Sequence, residues 1–144
     1  MTDPIDPLSG FSRHGFTLDG AEWPSVEHYF QAMSFEDEGL RDQIRSADHP
    51  AEARKIARKH RRRRRKGWDR LKATYMIRGI YTKCCTHPEV AKALLDTGDQ
   101  HILETSQYDY FWGCGRDLRG ENRFGEALLS VREKLREEAG AATG

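Results

Sequence analysis

Apolar residues recur along this chain at the spacing of an amphipathic helix, and this pattern restricts the possible folds more than any other feature. Residues three, four and seven positions apart share one face of an α-helix and can be buried together. The segments with this spacing are Val26, Tyr29, Phe30 and Met33; Trp68, Leu71, Tyr75, Met76 and Ile80; Val90, Ala93, Leu94 and Leu95; and Phe124, Ala127, Leu128, Val131 and Leu135. The sequence therefore predicts a mainly α fold.

Capping residues indicate where these helices begin. Ser25 stands just before the first apolar stripe and is its predicted N-cap. Two further helices are predicted at about 40–47 and 51–59. The stretch from Thr86 to Glu89 has the form of a capping box, in which the two side chains satisfy each other's backbone N–H groups. We therefore expect another helix to start there.

The first part of the chain has a different pattern. Residues 8–22 have the composition of short extended pieces, and Asp19-Gly20 between them is a strong hairpin signal. The predicted fold class is thus mainly α (α+β), with a small β element near the N-terminus. The 144 residues are enough for one domain, so we expect a single compact helical domain over 1–144. Residues 1–7 and 137–144 are expected to be flexible, the latter as a frayed tail.

Positive charge is concentrated in one segment. Residues 54–66 contain ten Lys or Arg and no acid, while the rest of the chain has 14 basic and 23 acidic residues. An acidic body with one basic segment could attract a phosphorylated substrate or a nucleic-acid backbone. A solvated charged surface is the more common explanation of such a run.

The cysteines and the hydropathy pattern bear on the compartment. Cys84, Cys85 and Cys114 form no CxxC pair, which is typical of reduced, intracellular usage. The sequence has neither the apolar core of a signal peptide nor a run of about 18 apolar residues. We expect a cytoplasmic protein without a membrane partner, and the sequence leaves its oligomeric state open.

The sequence offers little support for a metal or a cofactor. The six histidines show no HxxxH or HExxH spacing, and the cysteines lack zinc-finger spacing. No GxSxG nucleophile motif is present. We therefore expect a metal-free acid/base mechanism and no cofactor.

Glu27 is the first candidate for chemistry. It lies in the first turn of the predicted helix, where free backbone N–H groups stabilise a carboxylate. Acids at this position are common in helices without any function. From the spacing alone, the ordinary explanation is favoured.

A second candidate is the stretch 109–113. Asp109 adjoins three aromatic residues and is followed by Gly113, which suits a ligand pocket. Trp112 could stack on a flat base, and Asp109 could act on a sugar or on a ring nitrogen. A loop anchored in the core by its aromatic side chains is an equally good interpretation.

A third candidate is the stretch 120–125, just before the last apolar stripe. Its glycines and Asn122 could admit a phosphate to backbone N–H groups at a helix start. The stretch matches neither a P-loop nor a dinucleotide fingerprint, so this signal alone is weak.

Taken together, these motifs resemble the YbiA-like, or NADAR, family. The WPSVEHYFQA block at 23–32 and the DYFWG block at 109–113 are specific as a pair. Order and spacing agree from about Leu8 to Leu135, nearly the whole chain. The further matching positions are Thr97-Gly98-Asp99, Glu104, Gly120-Glu121-Asn122, Gly125 and Val131-Arg132.

The resemblance implies a mostly helical domain with N-glycosidase activity that needs no metal. It implies hydrolysis of a ribosyl C1′–N bond, either in phosphorylated ribosylamino intermediates of riboflavin biosynthesis or in ADP-ribosylated guanine of nucleic acid. In both cases positive charge builds on the sugar, and a carboxylate near C1′ can stabilise it and orient water, by analogy with other glycosidases.

The resemblance also assigns candidate roles to individual residues. The catalytic candidates are Glu27, Asp109 and, for ring opening through an imine, Lys83. The substrate-binding candidates are Trp112, Gly113, Tyr29, Arg58, Arg65 and Asn122. Arg58 and Arg65 match family arginines around an IxR…RxxW segment and would bind phosphate.

The chain departs from the family pattern at several positions. Ser34 stands where the family usually has Lys, Met33 where it has Gln, Gly10 where it has Asn, and Cys84 where it has Phe. If the missing Lys is a nucleophile, this chain could be slow, altered in specificity, or only a binder. The alternatives to the riboflavin-pathway glycosidase are therefore an ADP-ribosyl glycohydrolase and a non-catalytic ADP-ribose or nucleotide-binding module.

Overall fold

The computed structural model describes residues 7–97 and 123–143. Within these ranges the chain is mostly helical with a small sheet, which confirms the predicted fold class. The elements are β1 (Phe16–Leu18), β2 (Ala21–Trp23), α1 (Val26–Met33), α2 (Glu38–Arg45), α3 (Pro50–Lys59), a 3-10 turn (Arg61–Arg63), α4 (Trp68–Thr86), α5 (Pro88–Leu95) and α6 (Arg123–Thr143). The predicted functional stretch 109–113 lies outside the described residues.

The two strands form an antiparallel hairpin in which Phe16 pairs with Trp23. Asp19 and Gly20 connect them, both with positive φ, at 54° and 79°. Two residues in this conformation give a turn whose twist matches that of the strands, which is why Asp-Gly favours it. The predicted N-terminal β element is confirmed.

Helix α1 is the centre of the fold. All eight of its residues are buried, and it packs against α2, α3 and α4. Ser25 caps it as predicted, because its side chain accepts a hydrogen bond from the backbone N–H of His28. A helix buried on every side must place its polar side chains against partners inside the protein.

Two predicted helix boundaries are wrong. Helix α2 begins at Glu38 rather than near 40, because the Asp37 side chain accepts a hydrogen bond from Leu40 N and caps it there. The expected capping box before α5 is not formed. Thr86 belongs to the last turn of α4, where its hydroxyl donates to Thr82 O, and His87 takes the N-cap position without a side-chain cap.

The last helix is longer than predicted. Helix α6 continues to Thr143, whereas the sequence analysis expects fraying from Glu137. Tyr81 of α4 donates its hydroxyl to the carboxylate of Glu138, and the Lys134 ammonium lies 4.3 Å from the centre of the Tyr81 ring. These contacts attach the exposed end of α6 to α4.

The buried apolar side chains form one core that the hairpin and helices α1 to α6 share. Tyr29, Phe35, Ile44, Met76, Leu94 and Leu128 are its largest fully buried members. Within the described ranges, none of the helices combines the length and the apolar character needed to cross a lipid bilayer.

Candidate active site

Glu27 is a buried carboxylate held by two side chains. Only 4% of the residue is exposed. Its Oε1 accepts hydrogen bonds from Gln31 Nε2 at 2.7 Å and from Arg54 Nε at 2.9 Å. Within the described residues both bonds end on Oε1, so Oε2 is the oxygen that remains for a substrate atom or a water molecule.

Arg54 brings a cation from α3 to this carboxylate. Its side chain is 16% exposed and that of Glu27 is 5% exposed, so solvent screens the ion pair only weakly. The guanidinium carbon also lies 4.8 Å from the centre of the Phe11 ring. The guanidinium therefore offsets part of the cost of taking this carboxylate out of water.

The segment before the hairpin crosses this site. Gly10 O accepts a hydrogen bond from Glu27 N at 3.0 Å. Ser9 O accepts one from Lys83 Nζ at 3.0 Å. Residues 9–11 are thus bound at once to the start of α1 and to α4, and they carry Phe11 to Arg54.

Lys83 is buried, with 2% of the residue exposed. It lines a small cavity together with Gly10, Val26, Cys84 and Leu128. Burial raises the pKa of the Cys84 thiol to about 11, so this thiol is a core group rather than a nucleophile. The described contact of Lys83 anchors residue 9, and its predicted catalytic role stays a prediction.

Tyr29 lies on the other side of α1. It is fully buried, and its hydroxyl donates to Asp19 Oδ2 at 2.8 Å and accepts from Arg78 Nε at 3.3 Å. Two residues along a helix correspond to a rotation of about 200°, so its ring points away from Glu27. Its described contacts join the hairpin to α4 and give no support to the predicted substrate contact.

The two predicted phosphate-binding arginines border different depressions. Arg65 is partly buried, its Nη1 contacts Tyr75 Oη at 3.3 Å, and it lines a cleft that Glu27 does not border. Arg58 is exposed on α3, one turn after Arg54. Of these two arginines, Arg58 is the one on the same helix as Arg54, the ion-pair partner of Glu27.

The exposed side of α3 continues into a basic depression, named here the basic face. It has a volume of about 790 Å³. The residues that line it are Lys55, Arg58, Lys59, His60, Arg61, Arg62 and Arg63. Arg63 also forms an ion pair with Asp37 at 2.7 Å.

The departures from the family pattern have ordinary structural roles here. Ser34 is fully buried, its hydroxyl donates to Gln31 O at 2.6 Å, and its carbonyl accepts from Arg65 N. Met33 is buried and borders the cleft of Arg65. Gly10 contributes the carbonyl that receives Glu27 N.

Four predicted site residues, Asp109, Trp112, Gly113 and Asn122, lie outside the described residues. Conversely, sequence reasoning missed both partners of Glu27. Gln31 stands four residues after Glu27, a spacing at which helix side chains meet, so this contact could have been predicted. Arg54 is 27 positions from Glu27, and no local pattern distinguishes it among the ten basic residues of its segment.

Comparison with known proteins identifies the family of this chain and agrees with its fold. The NADAR domain matches residues 2–136. An N-glycosidase of Nostoc punctiforme is 38% identical, over 92% of this chain and 87% of that protein. The NMR structure of Escherichia coli YbiA, a protein also named an N-glycosidase, has a TM-score of 0.87 and 33% identity, covering 96% of this chain and 84% of that one.

A riboflavin biosynthesis protein of Vibrio vulnificus is 36% identical, with 96% of this chain matching 40% of that longer protein. The fold and the site together define a class of protein. It is a helical domain with a small hairpin, and its central helix carries a buried Glu paired with an Arg. The chain belongs to the NADAR family. The names of its relatives support an N-glycosidase.

Proposed function

We propose that this protein hydrolyses the C1′–N bond of a phosphorylated ribosylamino intermediate of riboflavin biosynthesis. Two relatives of similar length are named N-glycosidases, and the Vibrio vulnificus relative is named a riboflavin biosynthesis protein. The observation that carries the proposal is the Glu27 carboxylate, 4% exposed and fixed through Oε1.

The reaction needs a negative group close to the sugar. As the C1′–N bond breaks, positive charge develops on the ribose ring, and a fixed carboxylate in a water-poor site stabilises this charge strongly. Glu27 Oε2 is the oxygen proposed to face C1′ and to orient the attacking water. Asp109 is proposed as the second carboxyl group, which in its protonated form donates its proton to the departing nitrogen. Trp112 is proposed as the surface on which the base stacks.

The phosphate of the substrate needs a cation at some distance from Glu27. Arg58 follows Arg54 by four residues, which places it about 6 Å further along the axis of α3. It is exposed and therefore available to a ligand. We propose Arg58 as the phosphate-binding residue, since a guanidinium can bind phosphate oxygens in pairs.

The basic face favours a second candidate function, removal of ADP-ribose from guanine in nucleic acid. Its lining has Lys and Arg and one His but no acid. Such a surface suits a polyanion better than a small monophosphate. The bond broken would be of the same kind, so Glu27 would have the same role.

The substrate can be tested directly. Purified protein is incubated with a ribosylaminouracil phosphate and, separately, with an ADP-ribosylated guanine oligonucleotide. Release of the pyrimidine from the first and of ADP-ribose from the second is followed at low and at high salt. Faster release from the small substrate, with little effect of salt, is the expected result. Release from the oligonucleotide alone, lost steeply with added salt, would replace the proposal by the second candidate.

Binding without release from either substrate would contradict both candidates. It would support the non-catalytic nucleotide-binding alternative that Ser34 motivates. Ser34 has no cationic side chain; its hydroxyl donates to Gln31 O within α1, and its carbonyl accepts from Arg65 N.

A further inference from the structure

Arg54 is the partner of Glu27 that nothing in the family pattern singled out. It belongs to the most basic segment of the chain, yet its side chain is turned inward and is only 16% exposed. We infer that Arg54 is a positioning residue for the glycosidase reaction, which holds the Glu27 carboxylate so that Oε2 faces the sugar. This inference rests on the proposed function.

The geometry fixes the carboxylate from two directions. Gln31 Nε2 donates to Oε1 from within α1, and Arg54 Nε donates to the same oxygen from α3. The terminal torsion of a Glu side chain is broad and roughly two-fold, so a single donor leaves the carboxylate free to turn. Two donors from different helices on one oxygen select one rotation of the carboxylate, and the other oxygen is the one that we assign to the sugar.

The guanidinium itself is held in place. Its carbon lies 4.8 Å from the centre of the Phe11 ring, a cation–π distance that restricts the plane of the guanidinium. Phe11 is carried by the segment whose Gly10 carbonyl accepts from Glu27 N. Phe11, Arg54 and Glu27 therefore form a closed set of contacts in which each member limits the movement of the next.

A positioning role predicts a particular kinetic result. When a reacting group is displaced by about 1 Å, the rate of the chemical step can fall by about a hundredfold while substrate still binds. Removing Arg54 should therefore lower kcat and leave KM nearly unchanged. A direct phosphate contact would instead raise KM.

The test compares Arg54→Gln, Arg54→Lys and Arg54→Ala with the wild type, using the ribosylaminouracil phosphate. Arg70→Gln is the matched control, since Arg70 is exposed at the start of α4. For Arg54→Gln we expect kcat to fall by roughly tenfold to a hundredfold with KM within about twofold. Arg54→Lys should recover part of this loss, and added methylguanidinium should raise the kcat of Arg54→Ala severalfold.

A second variant keeps the test decisive if removal of Arg54 prevents folding. Phe11→Leu retains the ion pair but removes the ring, so kcat should fall severalfold below that of the wild type while KM stays constant. A rise in KM at unchanged kcat, or turnover in all Arg54 variants equal to that of Arg70→Gln, would overturn the inference.

The wild-type rate in the same assay separates the two claims. Release by the wild type with unaffected Arg54 variants sinks only the positioning role. Absence of release from the wild type contradicts the proposed function, and the positioning role is contradicted with it.

Discussion

At the scale of single residues, His28 is a buried ionisable group whose protonation state its hydrogen bonds define. It is fully buried, with Nε2 2.9 Å from Ala47 O and Nδ1 2.7 Å from Ser25 Oγ. A carbonyl oxygen only accepts, so Nε2 bears the proton and Nδ1 accepts from the Ser25 hydroxyl. The neutral ring thus satisfies both partners.

This arrangement predicts a pH-dependent stability. Burial lowers the pKa of His28 below its ordinary value of 6.5, and the charge of Arg13 lowers it further. The unfolded chain therefore takes up a proton at higher pH than the folded one, so the free energy of unfolding should fall as the pH drops below 6.5.

Urea unfolding at several pH values measures this effect. The His28→Gln variant should be less stable than wild type at about pH 7.5 and should lose less stability on going to about pH 5.5. Equal pH dependence of both proteins would show that other groups, such as His14, whose pKa burial also lowers, cause the loss.

The residues of the site differ in how far the sequence could predict them. Glu27 is indicated by the resemblance of its block to a family, not by its spacing, which any helix-start acid would share. Arg54 could not be predicted, because its contact with Glu27 exists only once α1 and α3 are packed together. Lys83 and Tyr29 were predicted as site residues, and the structure places both among buried structural contacts.

At the scale of elements, α1 and α4 approach closely at Gly79. A Cβ at this position would lie 3.1 Å from Tyr29 Cδ2 and 3.5 Å from Val26 Cγ1. Tyr29 cannot move aside easily, because its hydroxyl is bound to Asp19 and Arg78. Glycine here allows the two helices to pack at this distance.

We therefore predict that Gly79→Ala lowers the free energy of unfolding by about 1 kcal/mol, since overpacking outweighs the gain in helix propensity. Gly140→Ala is the control, because a Cβ there meets nothing within 4 Å in α6. It should raise stability by about 0.5 kcal/mol. Thermal or chemical unfolding measures both, and a stabilised Gly79→Ala would contradict the packing argument.

Local chemistry is enough to predict the hairpin and α1, whereas tertiary contacts decide how far α6 extends. The Asp19-Gly20 turn and the Ser25 cap depend on neighbouring residues alone. By contrast, the length of α6 depends on contacts of its last turns with Tyr81, which is more than 50 positions away. Contacts of that separation leave no local signal in a sequence.

At the scale of the whole molecule, charge is distributed unevenly. The basic face lies on one side of a chain whose formal net charge is only +1. Surface charges in this arrangement act mainly on the approach of charged ligands and depend strongly on salt. The exposed Arg61 and Arg62 can be changed without disturbing the core.

This leads to a prediction that separates the two candidate substrates. The double variant Arg61→Ala, Arg62→Ala should turn over the small phosphorylated substrate within about twofold of wild type, because Glu27 and the proposed phosphate-binding Arg58 are unchanged. Binding of a single-stranded oligonucleotide should weaken, and the slope of log K against log salt should become shallower by roughly one to two units. An unchanged slope would show that the basic face does not contact the phosphate backbone.

The central claim is that this NADAR-family protein cleaves a ribosyl C1′–N bond with Glu27. The most direct measurement is base release from the ribosylaminouracil phosphate by wild type, Glu27→Gln and Glu22→Gln, with folding of each checked by circular dichroism. Glu22 is an exposed carboxylate on β2 and serves as the matched control. The account predicts that Glu27→Gln loses at least about a hundredfold in kcat while Glu22→Gln equals wild type. Equal turnover by a folded Glu27→Gln would contradict it.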